Sequence, residues 1–371
     1  MSVINTDMKK KNTYVSLQFL RAFAFLGVFA SHNLIADDVF SRWGVAIFFI
    51  LSGFLNALHD VGKDDVISAK SSFEYATKKV KKIYKLHVIM TFIALFLWVI
   101  SDLDKYLANM AKEVVLSVIK LATNLLLISD FLPSSGFIGQ IFSEYNIVSW
   151  YLSASFFFYL LTPALVKITK RINKPLLISG ILFLLTMIID VLLVSFLGTD
   201  SAFWYIYECP ILRLSDYMIG IQMGYLYASG WSIEGKSTAA TSKGWILLGL
   251  GVIGSLALLC VGQVKESPIR WFINSGFYFT IPAVLLIFSL TMLNEQIEGL
   301  ISKNKALRSI VILGNLSAYA YLIHVPVINL VHGVYKRFGT VNLYVWCLIS
   351  LVLTIVLSVL AKERVGTHKN K

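Results

Sequence analysis

The chain has 371 residues, of which 57% are hydrophobic and only 15% are charged. Its mean hydropathy is +0.73, whereas a soluble domain carries roughly a quarter charged residues. These values exclude an ordinary soluble globular protein, and they exclude disorder, which requires low hydrophobicity. The composition therefore predicts an all-α fold, a polytopic integral membrane bundle of about ten transmembrane helices.

The charge balance is basic, with 33 Lys and Arg against 21 Asp and Glu, a net charge of +12. Because the charges lie between apolar segments, they indicate orientation in a bilayer, and no nucleic acid is expected as a partner. The three cysteines are far apart in the sequence and odd in number. Neither a disulfide framework nor a metal site is therefore predicted.

Eleven apolar segments follow the basic N-terminus, and a membrane crossing needs about 20 such residues. In chain order they are Val15–Ala36, Trp43–Leu58, Leu86–Ser101, Val114–Ser129, Tyr145–Val166, Pro175–Leu197, Cys209–Ser229, Gly244–Gly262, Trp271–Leu293, Ile310–His332 and Asn342–Ala361. Val114–Ser129 is short and has three polar residues in its middle. We expect it to lie in the interface or to re-enter, which leaves ten crossings.

Ten crossings place most of the cations on the cytoplasmic side if the N-terminus is cytoplasmic, as the positive-inside rule favours. We therefore expect a multi-pass protein of the cell membrane with both termini in the cytoplasm. Residues 1–371 form a single transmembrane domain, with residues 1–14 and 362–371 as cytoplasmic tails. No fused second catalytic domain is expected behind the last crossing.

Arg21 and His32, both in the first apolar segment, are the first candidates for a functional site. A cation inside a crossing is costly and marks function by default. Eleven residues make about three helical turns, so both side chains share one helix face, about 16.5 Å apart along the axis. That face would line an interior cavity. The alternative is an Arg reaching for the interface and an interfacial His bonded to a neighbour.

Six segments in order give the chain a more specific signature. They are LRAFAFLGVFASH (20–32), GVAIFFILSGFL (44–55), KKVKKIYK (78–85), WYLSASFFFYLL (150–161), RLSDYMIGIQMG (213–224) and LGNLSAYAYLIHVPVI (313–328). This ordered set resembles the acyltransferase-3 family of membrane O-acyltransferases over nearly the whole chain. Two departures are Lys79 and Lys82 where the family usually has Arg. A third is Ser155, where some members have Glu.

The resemblance implies transfer of an acyl group, expected to be acetyl, from cytoplasmic acyl-coenzyme A to a hydroxyl of a cell-surface carbohydrate. The acceptor would be lipid-linked or polymeric, as in exopolysaccharide, capsule or O-antigen. His32 would act as general base or as a covalent acyl carrier, and the sequence leaves both routes open. Arg21 would bind a donor phosphate or stabilise the oxyanion. No permanently bound cofactor or metal is expected. Further expected partners are membrane lipids and a polysaccharide-synthesis complex.

The remaining candidates fall into two groups. Lys79 and Lys82 are candidates for binding donor phosphates, although a basic run also fixes topology and touches anionic lipid. The candidates for acceptor contact or structural support are Trp150, Ser153, Tyr159, Arg213, Asp216, Tyr321 and His324. Arg213 and Asp216 are three apart and within reach of an intrahelical ion pair. Asp190 is a further buried acid without an identified partner.

Two other protein classes fit the apolar segments and the buried charges. One is a transporter or flippase for a polysaccharide precursor that performs no chemistry. The other is a structural subunit of a polysaccharide-synthesis complex. Neither accounts for the ordered family segments, so a membrane O-acyltransferase is the favoured interpretation.

Overall fold

The computed structural model describes residues 14–63, 67–133, 136–231, 238–265, 270, 272–338 and 342–365. Within these ranges every regular element is helical, which confirms the predicted all-α class. The α-helices are α1 (Val15–His32), α2 (Asp38–Asp60), α3 (Ala69–Ser101), α4 (Leu103–Ala108), α5 (Met110–Leu125), α6 (Gly136–Ile141), α7 (Trp150–Ile172), α8 (Pro175–Leu197), α9 (Thr199–Phe203), α10 (Pro210–Leu226), α11 (Thr238–Gly262), α12 (Thr280–Met292), α13 (Asn294–Lys303), α14 (Lys305–Phe338) and α15 (Leu343–Val365).

Eight of the helices in the described ranges are long and apolar enough to cross a membrane, namely α1, α2, α3, α7, α8, α11, α14 and α15. A ninth candidate is the pair Gly276–Met292 and Asn294–Lys303, which is bent by 74°. The helix α10 has 17 residues and packs in the centre of the bundle, against α2. Together these elements account for the predicted multi-pass architecture. We call the side on which α1 begins the near side and the side on which it ends the far side.

The segment expected not to cross forms α5, a helix of 16 residues. Its C-terminal end meets the middle of α3, where the Tyr84 hydroxyl donates to the Leu125 carbonyl at 2.7 Å. His87 Nε2 lies 3.1 Å from the Asn124 carbonyl oxygen. The helix α5 thus starts near the end of α3 and returns along it to its middle, an arrangement compatible with the predicted interfacial or re-entrant segment.

Glycines let the central helices approach backbone to backbone. A Cβ on Gly53 of α2 would overlap the Tyr217 carbonyl of α10, and a Cβ on Gly220 would overlap the Ile50 carbonyl of α2. A Cβ on Gly314 of α14 would overlap a carbonyl of α1. Small residues have this role in membrane bundles, where close van der Waals packing holds helices together. The helices that carry the candidate residues are thereby fixed relative to one another.

An aromatic core joins α2 to the start of α7. The Phe49 ring, in the middle of α2, stacks on Tyr151 at 4.4 Å between centroids and meets Trp150 edge-on at 5.8 Å. Each such pair contributes roughly 0.5–1.5 kcal/mol beyond area burial. Because α7 starts beside the middle of α2, its first turn lies deep in the bundle rather than at its edge.

Candidate active site

His32 and His324 form a direct pair, although 292 positions separate them in the sequence. His32 Nδ1 lies 2.8 Å from His324 Nε2, and the two rings stack with their planes 13° apart. His324 Nδ1 in turn lies 2.8 Å from the Tyr321 carbonyl oxygen and 3.2 Å from that of Ala320. His324 is completely buried, so its position is set by the protein.

These contacts determine which nitrogens of the neutral pair carry hydrogen. A carbonyl oxygen only accepts, so His324 Nδ1 must be the donor to the Tyr321 carbonyl. In a neutral imidazole the other nitrogen then accepts, so His32 Nδ1 donates to His324 Nε2. The lone pair of His32 is therefore on Nε2. That atom makes no hydrogen bond to the part of the chain that the structure describes, and it is placed to accept a proton.

Arg21 lines a small cavity between α1, α3, α7 and α14, with a volume of about 60 Å³. Ser317 and Tyr321 of α14 line the same cavity. Arg21 Nε and Ser317 Oγ are buried without a hydrogen-bond partner among the described residues. Burying a polar group without a partner costs roughly 1–3 kcal/mol. The cavity therefore contains donors that a ligand or water can satisfy.

The predicted common face of Arg21 and His32 is the face that α1 presents to α14. Arg21 meets Tyr321 across the cavity, and His32 meets His324 one turn further along α14. The Tyr321 ring packs on Tyr151 at 5.3 Å and on His324 at 5.8 Å. An aromatic wall thus connects the cavity to the histidine pair.

The structure separates the two candidate donor lysines. Lys79 is half-buried, with Nζ 2.6 Å from Asn56 Oδ1 and 5.0 Å from the Tyr75 ring centroid. Asn56 Nδ2 donates to the Tyr217 hydroxyl at 2.8 Å, so Lys79 belongs to a hydrogen-bonded chain inside the near side of the bundle. Lys82 is exposed and forms no ion pair within the described ranges.

Arg213 and Asp216 form a buried ion pair, with Nη2 2.9 Å from Oδ2. The guanidinium also lies 5.2 Å from the Phe49 ring centroid, and Thr280 Oγ1 is 3.4 Å from Asp216 Oδ1. Asp190 is electrostatically coupled to both members. Arg213 and Asp216 compensate each other's charge, and Asp190 is a second carboxyl group beside the same guanidinium. We interpret this cluster as a structural junction of α8, α10 and α12.

Three aromatic or hydroxyl candidates on α7 are core contacts in this structure. Trp150 is only 4% exposed and packs on Phe49. Ser153 is buried, with Oγ 3.5 Å from Ser129 Oγ. The Tyr159 hydroxyl lies 3.1 Å from Ser52 Oγ. Trp150 and Tyr159 contact α2, and Ser153 contacts the segment after α5. None of the three contacts the histidine pair.

Arg42, on the far side, is a residue that the sequence analysis did not single out. Its Nε donates to Asn274 Oδ1 at 2.8 Å and its Nη1 to Ser41 Oγ at 3.1 Å. The guanidinium lies 4.0 Å from the Tyr207 ring centroid, and it interacts electrostatically with His32. The available signal was its position directly before the second apolar segment, Trp43–Leu58, which places it one turn into α2.

Three carboxyl groups near the start of α7 were also missed, because they lie in segments far apart in the sequence. Burial, followed by the nearby Glu208 carboxylate, raises the pKa of Glu144 to about 8. Burial raises the pKa of Glu208 to about 7, although Arg42 opposes that shift. Burial, then Glu144 and Glu208, raise the pKa of Asp130. At neutral pH the raised pKa values of Glu144 and Asp130 therefore favour their protonated forms, and the pKa of Glu208 lies near neutrality.

Comparison of the sequence with known proteins identifies the family of the chain. The family model described as an acyltransferase domain matches residues 14–363. The chain is 27% identical over 343 residues to the acyltransferase MdmB of Streptomyces mycarofaciens, covering 85% of this chain and 79% of that protein. It is 22% identical over 369 residues to the O-acetyltransferase OatA of Staphylococcus aureus, strain NCTC 8325 / PS 47.

The OatA alignment covers 96% of this chain but 57% of the relative, so the chain spans little more than half the length of that protein. The same coverage holds for OatA of strain COL. No solved structure matches the chain. The family model extends over nearly all of the sequence and over every helix of the candidate site. The chain therefore belongs to this acyltransferase family, and it is a multi-pass membrane member.

Proposed function

We propose that the protein moves an acetyl group from acetyl-coenzyme A, bound at the near side, to a hydroxyl of a cell-surface carbohydrate at the far side. The near side is then cytoplasmic and the membrane is the cell membrane, with both termini in the cytoplasm. The observation that carries the proposal is the His32–His324 pair, in which a buried residue fixes the tautomer and direction of an accessible base.

Arg21 suits the phosphate end of the donor. Its buried, unpartnered Nε faces a cavity, and guanidinium forms strong hydrogen bonds to phosphate. Its Cα lies about 16.5 Å from that of His32 along α1. The pantetheine arm of coenzyme A is a flexible chain of comparable length. With the diphosphate near Arg21, the thioester reaches the histidine pair.

His32 would perform the proton transfers. Its Nε2 accepts the proton of the acceptor hydroxyl while the oxygen attacks the thioester carbonyl carbon. The tetrahedral intermediate then collapses, the carbon–sulfur bond breaks, and the coenzyme A sulfur takes the proton from Nε2. His324 stabilises the transient His32 imidazolium, because its Nε2 accepts the hydrogen bond from His32 Nδ1. Arg42 supplies positive charge near the developing oxyanion.

A covalent route uses the same lone pair. His32 Nε2 would attack the thioester carbonyl carbon, the carbon–sulfur bond would break, and coenzyme A would leave as the thiolate from an acyl-imidazolium. The acceptor hydroxyl would then attack the acyl carbon, the carbon–nitrogen bond would break, and the hydroxyl proton would pass to the thiolate, which restores neutral His32. The tautomer assignment fits both routes, because each begins with a free Nε2 on a neutral ring. A covalent intermediate is the feature that distinguishes them.

The acceptor class rests on the relatives and on the topology. OatA is named an O-acetyltransferase, and the far-side position of His32 suits a surface molecule. A lipid-linked or polymeric carbohydrate offers hydroxyls there without itself crossing the membrane. Assembly with a polysaccharide-synthesis complex would deliver such an acceptor.

The test is incubation of purified protein in lipid vesicles with acetyl-labelled coenzyme A and de-acetylated surface glycan, followed by separation of protein from glycan. The wild type should label the glycan. His32→Ala should lose transfer by about 10²–10⁴-fold, the usual contribution of general acid–base catalysis. Label retained on wild-type protein but absent from His32→Ala would identify the covalent route.

The matched control is His332→Ala, a histidine in the same helix as His324 but outside the pair. It should transfer label at the wild-type rate. Full glycan acetylation by well-folded His32→Ala would refute the assignment. Glycan that crosses vesicle membranes without acquiring label would favour the transporter interpretation.

A further inference from the structure

A polar groove of about 360 Å³ opens between α3, α5, α6 and the segment before α7. We call it the outer groove. Its defining residues are Trp98, Glu113, Ser117, Lys120, Gln140 and Tyr145. None of them belongs to the histidine pair or to the Arg21 cavity. The volume lies within the range of small-molecule sites, about 300–1,000 Å³.

The helix α5 has the reverse of a soluble helix's arrangement. Its outward face exposes Val114, Val115, Val118 and Ile119. Its polar residues, at helical spacing on the protein side, are Glu113, Ser117, Lys120 and Asn124. Polar side chains in membrane segments face the interior or a water-filled cavity and mark substrate paths. A stripe of such residues therefore leads from the start of α5 towards its buried end.

The inner end of this stripe is tied to the catalytic helix. Asn124 Oδ1 accepts from the Tyr145 backbone N–H at 3.1 Å. The next residue, Asn146, donates from Nδ2 to the Leu322 carbonyl at 2.8 Å and is completely buried. Leu322 precedes His324 by two residues in α14. The outer groove and the histidine pair are thus connected by two hydrogen bonds and a short backbone segment.

The groove's chemistry suits sugars. The Trp98 and Tyr145 rings lie 5.8 Å apart, and the Lys120 ammonium is 4.6 Å from the Tyr145 centroid. Lys120 lies over both rings, and the carboxylate, hydroxyl, amide and ammonium groups of the groove can bind sugar hydroxyls. Glu113 and the two lysines of the groove, Lys112 and Lys120, leave a formal net charge of only +1, which favours a hydroxyl-rich ligand over a strongly anionic one.

We propose that the outer groove is a glycan-binding subsite that holds sugar units of the acceptor adjoining the unit acetylated at His32. The inference rests on the proposed function, because it assigns a second contact region to the same acceptor. It implies that longer acceptors bind better than single repeat units, since only they fill the groove and the catalytic site together.

The test modifies the groove after folding. Gln140 is exposed, lines the groove and lies on α6. Gln140→Cys is made in a Cys260→Ser background, which leaves the two buried cysteines Cys209 and Cys347. A bulky maleimide then blocks the groove of the folded protein. The control is Ile138→Cys, on the same short helix, 49% exposed and not part of the groove lining.

Transfer from acetyl-labelled coenzyme A is measured with de-acetylated surface glycan, fractionated by length. We expect maleimide on Gln140→Cys to raise the apparent KM for long fragments about tenfold and to leave that for single repeat units unchanged. Labelled Ile138→Cys should match the unlabelled protein. Equal KM values for the two labelled variants at every length would overturn the groove assignment alone. If unmodified protein labels no glycan of any length, the proposed function fails and the groove assignment fails with it.

Discussion

The near and far sides of the bundle satisfy their polar groups in opposite ways. On the near side, Lys79, Asn56, Tyr217 and Thr162 form a continuous chain with contacts of 2.6, 2.8 and 2.6 Å. On the far side, the outer groove leaves about 360 Å³ of open space. The Arg21 cavity between them has only about 60 Å³, enough for a few waters.

This contrast bears on the proposed function, in which the acceptor binds at the far side and the donor at the near side. On the far side, the outer groove offers open volume, and His32 Nε2 makes no hydrogen bond to the described residues. On the near side, Lys79 already donates to Asn56, so a donor phosphate that binds Lys79 has to compete with that hydrogen bond. The following variants test that contrast.

The largest effect in this series is expected at His324. His324→Ala removes the acceptor for the His32 Nδ1–H, so the base loses its orientation and tautomer. Loss of such an orienting partner typically costs about 10–100-fold, and we expect the loss in kcat with little change in either KM. His324→Gln retains an acceptor oxygen and should recover part of the activity.

Steady-state kinetics with varied donor and varied acceptor separate the two parameters. Because a purely structural defect would also lower folded protein, the amount of folded protein is measured by thermal unfolding. A His324→Ala enzyme with unchanged kcat would show that the pair does not act in catalysis.

Substitutions of Arg21 should have an intermediate effect, and this effect should be confined to the donor KM. Arg21→Lys retains the charge but loses the planar fork, and Arg21→Ala loses both. If Arg21 binds phosphate, the donor KM should rise about tenfold for Lys and further for Ala, while the acceptor KM is unchanged. Arg308→Lys, at an exposed near-side position, is the control. An increase confined to the acceptor KM would show that Arg21 binds the acceptor and not the donor.

The smallest effect should distinguish Lys79 from Lys82. Lys79→Gln interrupts the near-side chain and removes a half-buried cation, so the donor KM should rise a few-fold and lose part of its salt dependence. Lys82→Gln removes an exposed charge and should change the donor KM less. Donor titrations at two ionic strengths make the comparison. If both variants keep the donor KM of the wild type at both ionic strengths, the two lysines do not bind the donor, and topology remains their role.

The sequence was sufficient for the fold class and for one face of the site. Apolar segments of crossing length correspond to helices because the bilayer leaves the backbone no other partner. The spacing of Arg21 and His32 placed them on one face because a single uninterrupted helix, α1, contains both. The short, polar-centred segment 114–129 was predicted not to cross, and its helix, α5, is not among the described helices that are long and apolar enough to span a membrane.

The tertiary pairings were not available from the sequence. Nothing in the local pattern links His32 to His324, because their contact depends on how α1 packs against α14. Arg42 was overlooked for a related reason, since a cation near a helix start looks like an orientation signal until Tyr207 and Asn274 surround it. The carboxyl cluster Asp130, Glu144 and Glu208 likewise combines three separate segments that periodicity does not relate.

The glycine contacts among α1, α2, α10 and α14 have a mechanical consequence. Backbones that touch directly, as at Gly53, Gly220 and Gly314, leave no layer of side chains that could repack during sliding. A Cβ on Gly44 of α2 would likewise overlap the Ala24 carbonyl of α1, which links the two pairs of helices. We therefore expect these four helices to resist sliding past one another. Alternating-access transporters instead rock one helical bundle against another around a central site. Under the proposed function, a rigid core would keep the permeability barrier closed throughout turnover, so that only the acyl group would change sides and neither substrate would be carried across.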